Sequence, residues 1–148
     1  TRNVAATSGS SNMTVVSPCD SEEARKATLA AAAHPGPVYL RFAREKTPLM
    51  TTSEPPFVLG QAQVLWLAEK PQVAIFATGP LVHNALLAAQ ALEGTIAVSV
   101  INIHTIKPLD TKAIVAAAQI NKPPRGMVKV ADNHRYAPKS QRRAAGKP

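Results

Sequence analysis

Arg41 and Arg44 are the residues best placed for chemistry. They follow an apolar, β-prone run, Val38-Tyr39-Leu40, and lead into Glu45, Lys46, Thr47 and Pro48. The carboxyl end of a buried strand is where α/β folds present side chains to ligands. A guanidinium there suits an anion, because it can grip two phosphate oxygens at once. For Arg44 the alternative is a strand-end salt bridge, to Glu45 or to an acid on a partner chain. Arg41 lies an odd number of residues away, so strand alternation sends it to the opposite face unless the strand ends or bends in between.

Other reactive side chains are less suggestive. The four histidines, His34, His83, His104 and His134, and the single Cys19 lack metal-ligand spacing, so no protein metal site is expected. His34 precedes a proline turn and His83 lies near a helix start; both are expected to face solvent. Cys19 has no base nearby in sequence and reads as a small packed residue. Asp20 reads as a helix cap. Thr78-Gly79-Pro80 could cradle an anion at a helix start. Pro80 removes one of the needed N–H donors, and the capping reading is preferred.

These side chains need a scaffold, and the totals say which kind. The chain has 148 residues, 45% of them hydrophobic, enough for one ordinary domain or two incomplete ones. Aromatics are only 4% and alanine is abundant. That profile suits helices packed closely on a sheet and argues against a protein that stacks nucleic-acid bases on rings. The net charge of +8 sits almost wholly in residues 121–148, where Lys122, Arg125, Lys129, Arg135, Lys139, Arg142, Arg143 and Lys147 face Asp132 alone. Such a tail could touch an acidic partner, or be a solvated end. One cysteine fits a reducing compartment. No apolar run reaches bilayer length and no apolar leader is evident, so a cytoplasmic protein without membrane contact is expected.

The elements follow from local pattern. Met13 to Val16 is a β-branched strand stopped by Pro18. Asp20 and Glu23 have capping-box spacing, with Glu23 reaching back to the cap's own N–H, and open a helix over 21–33. His34-Pro35-Gly36-Pro37 ends it. The Val38 strand follows, making a parallel βαβ unit. Three prolines and several hydroxyls between Glu45 and Pro56 give an extended linker. Beyond it come a short edge strand near Gly60–Leu65 and a buried strand over 73–77. A helix over 81–92 starts with Pro80, and a buried strand over 96–101 follows. The next helix is capped by Asp110, with Leu109 stapled onto Ile114, and a short strand covers Met127–Val130. The expected fold class is α/β, built from parallel βαβ units. The boundaries read as a flexible lead-in over 1–11, a first unit over 12–48, a linker over 49–60, a second unit over 61–130 and a basic disordered tail over 131–148.

Three runs carry a resemblance. Asn12-Met13-Thr14-Val15-Val16-Ser17-Pro18-Cys19-Asp20, Gly36-Pro37-Val38-Tyr39-Leu40-Arg41 and Arg44-Glu45-Lys46-Thr47-Pro48 resemble the end of the pyrimidine-binding domain of transketolases. The likeness is nearest to the carboxyl-terminal subunit of split forms. Ala77-Thr78-Gly79-Pro80 and Ile101-Asn102-Ile103-His104-Thr105-Ile106-Lys107-Pro108-Leu109-Asp110 resemble the carboxyl-terminal domain of the same family. The likeness covers roughly residues 12 to 130. Related thiamine-diphosphate families, the deoxyxylulose-phosphate synthases and the 2-oxoacid dehydrogenase β subunits, share parts of it.

The resemblance implies transfer of a two-carbon ketol unit between sugar phosphates, with thiamine diphosphate and Mg2+ as cofactors. It places Arg44 toward the substrate phosphate and gives His104 a packing or loop role. It also implies that the catalytic glutamate, the aromatic platform for the cofactor and the Gly-Asp-Gly metal motif lie outside this chain. The chain alone is then expected to be inactive, and to need an amino-terminal transketolase subunit or a second protomer as partner. Residues 1–11 and the run from Val128 depart from the family pattern, as a shifted reading frame or a truncation would leave them. The competing expectation is a non-catalytic α/β scaffold or interaction module, whose basic tail could bind nucleic acid.

Overall fold

A computed structural model describes residues 12–44, 46–120 and 129–130. The lead-in, Glu45, the first half of the last expected strand, the tail and His134 lie outside the described residues. The chain builds two small sheets and passes from one to the other more than once.

The first sheet is a three-stranded one. Strand β1 (Thr14–Val16) and helix α1 (Ser21–Ala33) lead to strand β2 (Val38–Leu40), which lies parallel to β1 with Thr14 opposite Val38. This is the expected βαβ unit, and α1 spans the expected residues. Val15 and Val16 are both fully buried although they point to opposite faces, so β1 is covered on both sides.

The second sheet has the order β3-β5-β4-β7. Its members are β3 (Gln63–Trp66), β4 (Val73–Ala77), β5 (Val98–Asn102) and β7 (Lys129–Val130). β4 pairs in parallel with β5 and β7, and β3 runs antiparallel along the edge beside β5. Helix α2 (Leu81–Ala91) and helix α3 (Thr111–Ile120) cover the two faces. Strand alternation divides the core accordingly. Ala77, Val98 and Val100 pack with Val82, Ala85 and Ala89 of α2. Ala74, Phe76 and Ile101 pack with Ile103 and with Ala117 of α3. Each layer removes apolar surface from water at about 25 cal/mol per Å2.

One strand was not legible in the sequence. Strand β6 (Thr105–Lys107) runs antiparallel to the far edge of β1, with a register shift between Val15 and Val16. Three residues between a histidine and a proline look like a loop; it is pairing with β1 that makes them a strand. β5 and β6 are separated only by Ile103 and His104, so one segment, Val98–Lys107, passes from the second sheet into the first.

Some local expectations change. Glu23 reaches back one residue further than a capping box requires: its Oε2 accepts the Cys19 N–H at 2.7 Å. Pro80 stands at the cap of α2 rather than at its first helical position, and no side chain caps that helix. Leu109 remains 46% exposed instead of closing as a staple. His34 and His83 are half-buried, not solvent-facing. The His34 ring reaches toward β1, with Nε2 3.4 Å from the Thr14 hydroxyl.

Candidate functional site

Strand β2 ends at Leu40, before both arginines. The Arg41 N–H still donates to the Val16 carbonyl at 2.8 Å, which fixes the start of the segment that follows. Arg41 is half-buried and Arg44, in a bend three residues on, is exposed. Because the strand stops first, alternation no longer forces the two guanidinium groups to opposite faces. Neither side chain is bonded to another described residue. Glu45, the acid considered as a rival partner for Arg44, lies outside the described residues.

The far end of this segment is held as firmly as its start. Asp20 caps α1, its Oδ1 accepting the Glu23 N–H at 2.8 Å. The same carboxylate takes the Met50 N–H and the Thr51 N–H on Oδ2, each at 2.7 Å, and the Thr51 hydroxyl on Oδ1 at 2.8 Å. Burial works to raise the pKa of Asp20, but these donors outweigh it and hold the group below the ordinary carboxylate range. One turn further along α1, the buried Lys26 donates its Nζ to the Thr52 carbonyl at 2.7 Å and the Pro55 carbonyl at 3.1 Å. Residues 41–44 and 46–49, largely exposed, therefore lie between two fixed points, and Arg44 is among them.

The extended stretch continues under similar restraint. The Phe57 ring lies against the His104 ring with centroids 4.1 Å apart. The Gly60 N–H donates to Thr105 Oγ1 at 3.1 Å, and that hydroxyl is 2.9 Å from His104 Nδ1. Since the hydroxyl oxygen accepts from Gly60, its own proton is left for Nδ1, which makes His104 a neutral acceptor there. Burial, with the Lys26 charge adding, lowers the His104 pKa to about 4. His104 is 4% exposed, and the packing role expected for it is what the structure shows. The Asp110 carboxylate repeats the work of Asp20. Its Oδ2 accepts the Ala62 N–H at 2.9 Å and its Oδ1 the Ala113 N–H at 3.0 Å. These bonds hold its pKa below the usual carboxylate range.

Cys19 is packed, as expected; burial and the neighbouring Glu23 push its thiol pKa far up, so it is no nucleophile. Gly79 has φ +57 and presses against Ser17, which ties the turn before α2 to the end of β1. Sequence reasoning missed the buried pair Glu23–Asn102, joined at 2.7 Å. The signal was present: Asn102 is the one amide inside an otherwise apolar run from Val100 to Ile103.

Comparison with known proteins gives a consistent result. The description of the transketolase C-terminal domain family matches residues 60–134. A 6-deoxy-6-sulfo-D-fructose transketolase subunit of Clostridium sp. (strain MSTE9) is 42% identical over 107 residues, covering 72% of this chain and 33% of that protein. Transketolase of Mus musculus is 32% identical over 124 residues, covering 83% of this chain and 19% of its own length. The structure of a split-gene transketolase, described as an inactive beta4 tetramer, superposes with a TM-score of 0.72 at 32% identity, over 80% of this chain and 39% of that one. Transketolase of Campylobacter jejuni superposes with a TM-score of 0.70 over 89% of this chain and 21% of its own; at 20% identity it speaks for the fold alone. This chain thus spans two fifths or less of each relative.

Proposed function

Because the chain belongs to the transketolase family through its carboxyl-terminal domain, we propose that it serves as part of a transketolase-like subunit. Its work would be ketol transfer between sugar phosphates, carried out in an assembly with an amino-terminal subunit or a second protomer. The observation that carries this reading is the exposed Arg44, which follows the anchored Arg41 and precedes the anchored Met50 and Thr51. A cation held in that way can meet a phosphate with little ordering cost. Arg41 is the second candidate for the same phosphate.

Thiamine diphosphate and Mg2+ are the cofactors the family implies. When bound, the thiamine supplies a stabilised carbanion equivalent. The described residues do not fit this group. No three of their His, Cys, Asp or Glu side chains converge as metal ligands. The start of α2 is occupied by Pro80, which has no N–H to offer a phosphate. The cofactor would be held by the other chain, and this chain's share is to orient the phosphorylated end of the substrate.

Mixing the chain with a candidate amino-terminal subunit, thiamine diphosphate and Mg2+ should restore ketol transfer that neither part shows alone. Activity in the isolated chain, or none in any mixture whose assembly is verified, would overturn the reading.

A further inference from the structure

The second sheet carries a groove of about 350 Å3 that the proposed site does not use. Its walls come from three places: residues 66–69 at and after the end of β3, Ala89, Glu93 and Gly94 at the end of α2, and residues 96–98 at the start of β5. The groove therefore lies at the amino-terminal end of β5, whereas the carboxyl end of that strand leads into the first sheet. Its floor is apolar, with Ala89 and Val98 each 2% exposed. Its mouth leaves large apolar side chains in water, Leu67 at 72% and Ile96 at 37% exposure. Trp66 stands half-buried between floor and mouth. Covering these surfaces would take them out of water, which favours an occupant.

Charge decides which occupant fits. The ionisable side chains among the walls are Glu69 and Glu93, both acids and both exposed. Neither is ion-paired with a described residue. Lys70 follows Glu69 but is not part of the walls. The end of α2 acts in the same sense, since its last turn holds no basic residue to offset the negative end of the helix dipole. An anion is repelled here, and a neutral ligand leaves the attraction unused. A cation gains from both carboxylates and the helix end, and from Trp66, whose ring face attracts positive charge. The volume is at the low end of small-molecule sites, about 300–1,000 Å3, so the ligand must be compact.

We propose that this groove binds a small organic cation, an ammonium or guanidinium group carried on a compact apolar body. The body lies on Ala89 and Val98 beside the Trp66 ring, and the charged end turns toward Glu69 and Glu93 at the rim. The groove shares no residue with the segment that carries Arg41 and Arg44. A cation is also the opposite of the phosphate proposed for those arginines, so the ligand is a different one.

Trp66 is the single tryptophan of the chain, so its fluorescence reports on the groove directly. The full chain titrated with benzyltrimethylammonium should give a saturable change with a Kd of about 1 mM or tighter. Phenylacetate, an anion of similar size, and benzyl alcohol, a neutral one, should give none over the same range. Glu69→Gln and Glu93→Gln should each weaken binding about two- to fivefold, and added salt should weaken it too. Both side chains are exposed, so the variants should keep the native unfolding curve, and a loss of binding then reports on the groove rather than on the fold. Equal binding of cation, anion and neutral probe would mark an apolar crevice only. That result, the absence of a saturable change, or binding indifferent to both substitutions would overturn the proposal.

Discussion

Thr51 occupies both oxygens of Asp20: its N–H lies 2.7 Å from Oδ2 and its hydroxyl 2.8 Å from Oδ1. A residue in the stretch between the two units thus closes a carboxylate that already caps α1. Replacing Asp20 with Ala removes the cap together with three bonds to residues 50 and 51. The expected loss is roughly 3 kcal/mol, read by denaturant unfolding. Limited proteolysis should cut the released stretch near Thr52 faster than in the native chain.

The buried neutral ring of His104 makes the fold sensitive to acid. Its folded pKa, about 4, lies below the unfolded value, so the unfolded chain takes up the proton first. The stabilisation is whole above about pH 6.5 and is lost as pH falls toward 4, by about 3 kcal/mol. His104→Gln should flatten this slope in a pH series of unfolding curves. An unchanged slope would assign the acid sensitivity to the carboxylates.

Gly79 and Ser17 should be coupled. A Cβ on Gly79 would stand 2.8 Å from Ser17 Oγ, and the φ of +57 is itself unfavourable for a side chain. Gly79→Ala should cost more than the 1–2 kcal/mol, approximately, of the backbone strain alone. Adding Ser17→Ala removes the clash but not the strain, so the double variant should recover part of the loss. A double-mutant cycle by thermal unfolding measures that share.

Arg44→Leu, tested in an active assembly, should raise KM for a phosphorylated acceptor about tenfold or more while leaving the unphosphorylated analogue unaffected. Arg41→Leu should act more weakly, since Arg41 is half-buried and the substitution leaves its backbone bond to Val16 in place. Equal effects on both acceptors would assign Arg44 to structure rather than to phosphate binding.

Much of this architecture could be read from the chain, for local reasons. Asp20 and Glu23 announce α1, and the four-residue His34–Pro37 turn stops it where expected. The apolar runs at 73–77 and in β5 declare strands buried on both faces. Contacts that join distant parts were hidden. β6 exists because β1 has a free edge, and the stretch between the units looked like a free linker. It is ordered because Asp20, Lys26 and Asp110 spend their polar atoms on its backbone. Arg44 could be named from its position after a strand, yet the anchors on either side of it depend on bonds from residues far upstream. Glu23 was read as half of a capping box, and nothing nearby in sequence hints at Asn102.

The segment Val98–Lys107 has a consequence for how such chains can be shuffled. The stretch between Thr47 and Gly60 looks like a natural crossover point for recombination between relatives. An exchange there would bring in a β6 that evolved beside another β1, and an Asn102 that evolved beside another helix. A chimaera joined there is therefore expected to fold well only when β1 and α1 are exchanged together with residues 102 to 107.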